Sequence, residues 1–208
     1  EGSRGRTGIL ATAHGTIRTP AFVPLATKGT VKGLEPRDIR ALGYDMVLGN
    51  TFHLMTSPGK EVVSHFGGLH DFMRWDGPII TDSGGFQVFS MGHGTIADEV
   101  KGRSTNAGRD GKTLGITEQG ATFRSYLDGS KQFLSPEESM SVQSHLHSDI
   151  ALVFDECTPF HVSKNYTDKS TQRSHRWLER CLDWHAEHGP DDQLVYGIVQ
   201  GGVYEDLR

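Results

Sequence analysis

Short runs of apolar residues alternate with amphipathic stretches along most of this chain of 208 residues. The runs are almost continuously hydrophobic, as expected for strands that are covered on both faces of a sheet. Such strands, alternating with helical stretches, are typical of βα units, so the pattern predicts an α/β fold with a parallel sheet. The predicted strands are Ala21–Ala26, Asp45–Leu48, Pro78–Thr81, Ile150–Phe154 and Leu194–Val199.

The stretches between these strands contain signals for helices. A short helix is predicted over Glu35–Leu42. Ser135 is a good cap for a helix that starts at Pro136, and Glu138 follows three residues later. A long helix is predicted over about 168–188, where side chains recur at a helical spacing. The side chains of this stripe are Trp177, Leu178, Cys181, Leu182 and His185.

The segment from Met91 to about Gly120 breaks the alternation. It is rich in glycine, polar and charged residues, which predicts a long loop. Two hairpins are also predicted, an N-terminal one over Gly8–Pro20 and one after the loop, where Asp128-Gly129 is a turn signal. The basic residues of the loop are Lys101, Arg103, Arg109 and Lys112.

Composition indicates an ordinary soluble globular domain, with 35 % hydrophobic residues, 23 % charged residues and a net charge of −5. The mild acidity argues against a dedicated nucleic-acid coat protein, although an enzyme can grip RNA with one local patch. Cys157 and Cys181 form no CxxC pair, so neither a disulfide framework nor a zinc ribbon is predicted, and the cytoplasm is the expected compartment. No apolar run approaches the roughly 18 residues that cross a bilayer. Because the chain begins without Met and stops at Arg208 in a predicted helical turn, we expect both ends to be cut.

Polar residues directly follow the later predicted strands. Asn50-Thr51 follows the second strand, Asp82 the third, Asp155 the fourth and Gln200 the fifth. The spacing from Asn50 to Asp82 is close to the roughly 31 residues of one unit in an eight-unit barrel. Because the carboxyl ends of barrel strands converge on one mouth, these side chains are predicted to line one pocket. Each has an alternative explanation, since an Asp after a strand often caps a helix and a Gln can satisfy a loop amide.

Together these groups suit a heterocycle with a guanine-type edge, which shows two adjacent N–H donors and one carbonyl acceptor. A carboxylate accepts hydrogen bonds from both donors, and an amide NH₂ donates one to the carbonyl. Phe86 is placed to stack on such a ring, and a second carboxylate can exchange the proton at the glycosidic nitrogen. The residues alone therefore favour a barrel enzyme that handles a heterocycle.

Several long motifs, in order and over nearly the whole chain, resemble the tRNA-guanine transglycosylase (queuine tRNA-ribosyltransferase) family. The longest are Gly49-Asn-Thr-Phe-His-Leu54, Thr81-Asp-Ser-Gly-Gly-Phe-Gln-Val88, Phe154-Asp-Glu-Cys-Thr-Pro159 and Gly197-Ile-Val-Gln-Gly-Gly202. Shorter matches are Thr19-Pro-Ala-Phe-Val-Pro24, Tyr126-Leu-Asp-Gly-Ser130 and Leu134-Ser-Pro-Glu137.

The resemblance implies a TIM (β/α)8 barrel, to which the residues themselves add an N-terminal β-hairpin and an inserted loop and hairpin after the third strand. Residues 1–208 would form one catalytic domain, incomplete at its C-terminus, with about the first five strands. The implied reaction exchanges guanine at the tRNA wobble position for 7-aminomethyl-7-deazaguanine in queuosine biosynthesis. It proceeds by double displacement through a covalent enzyme–RNA intermediate. The motif that contains Cys157 resembles the bacterial branch of this family, whose incoming base is 7-aminomethyl-7-deazaguanine.

The resemblance also assigns roles to particular residues. Asp82 corresponds to the catalytic proton acceptor, Asp155 would read the donor edge of the base and Gln200 its carbonyl. The turn before Phe86 would form the pocket wall, with Phe86 stacking on the base. The implied substrate-binding residues are Asp82, Ser83, Gly84, Gly85, Phe86, Asp155 and Gln200.

Other implied features belong to the part of the family that follows Arg208. They are a nucleophilic Asp and the three Cys and one His of a structural zinc site, so no metal ligand is predicted in this chain. The expected partners are tRNA, the modified guanine base and a second copy in a homodimer, without a membrane. Alternatives are a non-catalytic RNA-binding subunit of the same family, a DNA-modifying relative and, more distantly, a glycosidase with paired carboxylates. A solvated role is favoured for the basic loop residues over a contact with RNA.

Overall fold

The computed structural model describes residues 4–93, 113–160 and 162–208. The strands are β1 (Gly8–Thr12), β2 (Gly15–Thr19), β3 (Leu25–Ala26), β4 (Val47–Gly49), β5 (Ile79–Thr81), β6 (Thr113–Ile116), β7 (Ala121–Arg124), β8 (Lys131–Leu134), β9 (Ile150–Leu152) and β10 (Leu194–Tyr196). The α-helices are α1 (Pro36–Ala41), α2 (Thr51–Thr56), α3 (Lys60–His65), α4 (Leu69–Met73), α5 (Gly85–His93), α6 (Pro136–Leu146) and α7 (Lys164–His188). A 3₁₀ turn spans Glu205–Leu207.

The described residues divide into two compact units, each built from three segments of the chain. The first contains residues up to Asp82 together with Ser141–Leu152 and Gly189–Tyr196. The second contains the described parts of Ser83–Met140, Val153–His188 and Gly197–Arg208. The expectation of one catalytic domain over 1–208 stays a prediction.

A five-stranded parallel sheet forms the centre of the first unit, in the order β10-β9-β5-β4-β3. Each strand lies beside the next strand of this sheet along the chain, with Val47 opposite Ile79 and Leu194 opposite Ile150. Every one of these strands falls on or overlaps a segment predicted from its apolar run. The α/β class with a parallel sheet is therefore confirmed.

Apolar side chains from the helices of the first unit cover its sheet. Ile39 of α1, Leu54 of α2 and Leu69 of α4 pack in one cluster with Val47 and Ile79 of the strands. A smaller cluster joins Ile17 of the β1–β2 antiparallel pair to Met46 and Ile150. The apolar runs thus serve as buried strands, and the amphipathic stretches supply the covering faces.

Asp149 ties several elements of the first unit together at the start of β9. Its Oδ1 accepts a hydrogen bond from the His14 backbone N–H and lies 3.0 Å from His14 Nδ1. Its Oδ2 accepts one from the Ile79 N–H at 2.8 Å and lies 3.1 Å from His70 Nε2. Burial opposes ionisation, but the hydrogen bonds from His70, Ile79 and His14 outweigh it and hold the pKa of Asp149 well below its usual range.

The second unit contains an antiparallel sheet in the order β6-β7-β8, and here the loop prediction was wrong at both of its ends. Helix α5 continues to His93, and Thr113–Ile116 forms β6, which pairs with β7. Pairing with β7 supplies backbone hydrogen bonds that the local sequence of β6 does not signal. The basic residues Lys101, Arg103, Arg109 and Lys112 lie outside the described residues.

Helix α7 begins at Lys164, earlier than predicted, and buries only part of the predicted stripe. Trp177 and Cys181 are buried as predicted, whereas Leu182 is 46 % exposed. The Trp177 ring stacks on Phe154 with 4.8 Å between centroids. Small polar side chains complete the buried face, namely Thr167, Ser170, Thr171 and Ser174. The Ser170 and Ser174 hydroxyls form hydrogen bonds with the backbone of Glu156, in the loop that follows β9.

Candidate functional site

Asp82 directly follows β5, and residues at the end of β4 hold its carboxylate. Its Oδ2 accepts a hydrogen bond from the Asn50 amide at 2.6 Å, and its Oδ1 accepts one from the Thr51 N–H at 2.9 Å. Asn50 also caps α2 by accepting a bond from the His53 N–H. Asp82 as a whole residue is partly buried. Held in place with part of its surface open, it can exchange a proton with a bound molecule.

The turn from Ser83 to Gly85 requires both of its glycines, for different reasons. Gly84 has a φ of +80°, in the left-handed region that residues with a Cβ rarely adopt. A Cβ on Gly85 would lie 2.6 Å from the backbone oxygen of Asp155. The turn is fixed by the Ser83 carbonyl, which accepts a hydrogen bond from the Ser139 hydroxyl at 2.7 Å. The close approach brings this turn against the loop after β9.

Asp155 lies at the centre of a group of polar side chains in the second unit. It is only 7 % exposed. The Ser83 hydroxyl donates a hydrogen bond to its Oδ1 at 3.3 Å, and the Gln200 amide donates one to its Oδ2. Three segments distant in sequence therefore meet at one carboxylate. The contacts join Ser83, Gly85, Asp155 and Gln200, and the contacts of Asp82 described above belong to the first unit.

The environment of Asp155 changes its acidity. Burial raises the pKa of Asp155 to about 6, and the charge of Glu156 adds to this, while hydrogen bonds from Ser83 and Gln200 oppose it. The carboxyl group is therefore predominantly ionised at pH 7. A buried, ionised carboxylate is a strong acceptor for the N–H groups of a ligand.

The neighbouring residues provide a stacking surface and a shaped loop. Phe86, in the first turn of α5, is 44 % exposed, so an aromatic face is available next to the Ser83–Gly85 turn. Gly201 follows Gln200 with a φ of +114°, and a Cβ there would lie 2.7 Å from the Leu207 carbonyl oxygen. Only glycine fits this position, which directs the loop that carries the Gln200 amide.

A family model described as queuine tRNA-ribosyltransferase matches residues 1–208. The chain belongs to this family. The resemblance predicted from the motifs is therefore confirmed.

Curated queuine tRNA-ribosyltransferases from several bacteria resemble the chain along its whole length. The relative from Psychrobacter sp. (strain PRwf-1) is 52 % identical over 206 residues, which cover 99 % of this chain and 49 % of the relative. The relative from Roseiflexus sp. (strain RS-1) is 47 % identical over 215 residues, which cover 99 % and 54 %. The relative from Staphylococcus aureus (strain JH9) is 48 % identical over 206 residues, with coverage of 99 % and 49 %. The chain thus spans about half the length of these relatives.

Sequence reasoning assigned no role to one charged residue beside Asp155. Glu156 follows Asp155 and is buried, and it pairs with Arg173 and the Tyr166 hydroxyl of α7. Its place directly after the apolar run Ile150–Phe154 and Asp155 was the available signal, because a carboxylate buried there needs a partner. The polar face of α7 is that partner.

Among the described residues, one group of three side chains could ligate a metal ion, because the ligand atoms of His14, His70 and Asp149 lie within 4.8 Å of one another. Hydrogen bonds already explain this group, because each carboxylate oxygen accepts a backbone N–H and lies within hydrogen-bond distance of an imidazole nitrogen. The group contains no cysteine and therefore does not fit the zinc site of three Cys and one His that the resemblance implies.

Within the ranges that the structure describes, no helix combines the length and the apolar character needed to cross a membrane.

Proposed function

We propose that the protein to which this chain belongs is a tRNA-guanine transglycosylase. It would exchange guanine at the tRNA wobble position for 7-aminomethyl-7-deazaguanine by double displacement. The observation that carries the proposal is the buried Asp155 carboxylate, which meets the Gln200 amide and the Ser83 hydroxyl. Family membership and identities near 50 % along the chain support it.

Recognition of the base follows from the donors and acceptors of this group. In the proposed complex, the Asp155 carboxylate accepts the two adjacent N–H donors of a guanine-type edge. The Gln200 amide donates to the base carbonyl in place of its present bond to Asp155. An analogue without these N–H groups would leave a buried carboxylate unpaired, which is why such a site discriminates strongly. Phe86 would stack on the ring.

The proposed chemistry assigns proton transfer to Asp82. When guanine leaves the ribose, its glycosidic nitrogen gains a proton, and when the incoming base attacks, that base must lose one. Asp82, held by Asn50 and Thr51 and partly open, is proposed to give and accept this proton. The nucleophilic Asp and the structural zinc implied by the resemblance stay predictions. The homodimer and the cytoplasmic location do as well.

The five-stranded sheet is proposed to be part of a (β/α)8 barrel. Its strands are parallel and add to the sheet in chain order, as in the wall of such a barrel. The relatives are about twice as long as this chain, which leaves length for the remaining units.

The proposal is tested by guanine exchange in the full-length protein. Incorporation of labelled guanine into tRNA should be measured for the wild type and for Asp155→Asn, with DNA as the alternative acceptor. Asp155→Asn loses one acceptor and presents a donor to the base N–H groups, so exchange should fall at least 100-fold. Asp76→Asn, the same change at an exposed ion pair with Arg40, should keep full activity.

Each result has a distinct meaning for the proposal. Unchanged guanine exchange in Asp155→Asn would contradict the base-reading role. A wild-type protein that binds tRNA without exchange would instead indicate the accessory subunit, and incorporation into DNA alone would indicate the DNA-modifying relative.

A further inference from the structure

Glu156 is a buried carboxylate that immediately follows Asp155 in the loop after β9. It is 1 % exposed, so its ionised form needs a paired charge and hydrogen bonds. Arg173 Nη1 donates to Glu156 Oε2, and the Tyr166 hydroxyl donates to Oε1 at 2.6 Å. Burial and this bond to Glu156 raise the pKa of Tyr166, so its hydroxyl remains a donor. Both partners are on α7.

The backbone of Glu156 is bound to the same helix. Its N–H donates a hydrogen bond to the Ser174 hydroxyl at 3.0 Å, and its carbonyl accepts one from the Ser170 hydroxyl at 3.3 Å. Side chain and backbone of one residue are therefore held by one face of α7. This fixes the chain directly after Asp155, and with it the direction in which the Asp155 carboxylate is presented.

Arg173 is itself held on a second side. Its Nε donates to Glu118 Oε1 at 3.3 Å, while Arg176 Nη2 donates to the same oxygen at 2.7 Å. The bond from Arg176 lowers the pKa of Glu118 to about 2, so this carboxylate is ionised at neutral pH. The Arg173 guanidinium thus lies between two carboxylates, and its planar fork is fixed in orientation.

We propose that Glu156 and Arg173 form a positioning pair for Asp155. The pair fixes the loop after β9. It also places the negative charge of Glu156, which Arg173 partly compensates, beside the Asp155 carboxylate. This inference rests on the proposed function, because it concerns the same site.

The charges around Asp155 single out Glu156 within the described part of the second unit. Ser83 and Gln200 are neutral, and burial raises the pKa of the Cys181 thiol to about 12, so it is also neutral. The charge of Glu156 raises the pKa of Asp155. Removal of that charge should therefore shift the pH at which protonation of Asp155 weakens binding of the base.

The test is the pH dependence of kcat/KM for guanine in the full-length protein with saturating tRNA. Because the ionised carboxylate accepts the N–H groups of the base, kcat/KM should fall as the pH drops through about 6. Glu156→Gln removes the like charge and leaves Arg173 in place, and both effects favour ionised Asp155. The midpoint should therefore move to lower pH by on the order of one unit.

Two further variants separate charge from position. Glu118→Gln is the matched control, since it changes a carboxylate on the same arginine that does not adjoin Asp155; its midpoint should equal that of the wild type. Arg173→Lys keeps the positive charge but loses the fork that joins Glu118 to Glu156. Its midpoint should stay in place, while its KM for guanine should rise roughly tenfold.

Circular dichroism establishes that each variant is folded. A folded Glu156→Gln variant with the wild-type midpoint would overturn the charge effect, because a purely structural role lowers activity without moving the midpoint. An unchanged KM for guanine in Arg173→Lys would overturn the positioning role. If Glu156→Gln does not fold, the KM of Arg173→Lys is the measurement that decides. Failure of the proposed function looks different, since the wild type would then exchange no guanine at any pH.

Discussion

Replacement of Asp149 by Asn is expected to destabilise the first unit strongly. The carboxylate accepts backbone N–H groups from His14 at 3.0 Å and from Ile79 at 2.8 Å, and it also meets two imidazole nitrogens. The substituted asparagine would have nearly the same shape. Its NH₂ group, however, is a donor and would replace one accepting oxygen of the carboxylate. That group would then face the N–H donors that the oxygen now binds.

The magnitude follows from the number of bonds that are lost. A hydrogen bond to a charged group contributes about 1.5–3 kcal/mol. The amide keeps one oxygen, so one backbone donor and one imidazole lose their acceptor. The side chain of Asp149 is completely buried, and water cannot replace those bonds. The free energy of unfolding should therefore fall by about 3–5 kcal/mol.

The measurement is urea unfolding of the full-length protein, followed by tryptophan fluorescence. Asp192→Asn is the control, because Asp192 also pairs with a histidine, His147, but its side chain is 51 % exposed. That change should cost less than about 1 kcal/mol. If Asp149→Asn unfolds at the same urea concentration as the control, the carboxylate does not hold these elements together and the reasoning is refuted.

The pH dependence of the free energy of unfolding provides a second test of the role of Asp149. The pKa of Asp149 is lower in the folded protein than in the unfolded chain, where it is near 4. Its contribution to stability is therefore complete above about pH 4 and is lost as the pH falls through the folded value. The stability difference between the wild type and Asp149→Asn should accordingly narrow below about pH 4.

Two further changes test the candidate site. Gly85→Ala places a Cβ 2.6 Å from the Asp155 backbone oxygen, and the strain of about 1–3 kcal/mol should move that loop and raise the KM for guanine about tenfold. Gly115→Ala, where a Cβ has no heavy atom within 4 Å, should leave the KM unchanged, and equal KM values for the two variants would argue against this packing. Asp82→Asn should keep most guanine binding but lower turnover by about 100-fold or more, as single-turnover kinetics would measure. Full turnover in that variant would remove its role in proton transfer.

The strands of the parallel sheet were predictable because their signal is local. An apolar run such as the one ending at Thr81 indicates a buried strand wherever it packs. The turn from Ser83 to Gly85 and the loop at Gly201 were likewise visible, since glycine marks positions that exclude a Cβ. Strand β6 was not visible, because its partner β7, rather than its own sequence, supplies its hydrogen bonds.

The polar partners of the buried carboxylates were also beyond prediction. Helical spacing correctly predicted that Trp177 and Cys181 of α7 are buried, but not that Arg173 of the same helix pairs with Glu156. From sequence alone, a charged side chain is predicted to be exposed to solvent. Only a partner from another element makes its burial favourable.

The sequence by itself determined the α/β class, the family and the residues that carry the candidate chemistry, because apolar periodicity and motif wording are written along the chain. The tertiary structure decided which acceptor meets which donor. Asp149 binds His14 across 135 residues, and Asp155 binds Ser83 across 72. Such pairs form only when packing brings distant segments together, and the burial and hydrogen bonds that this packing creates shift the pKa of each carboxylate.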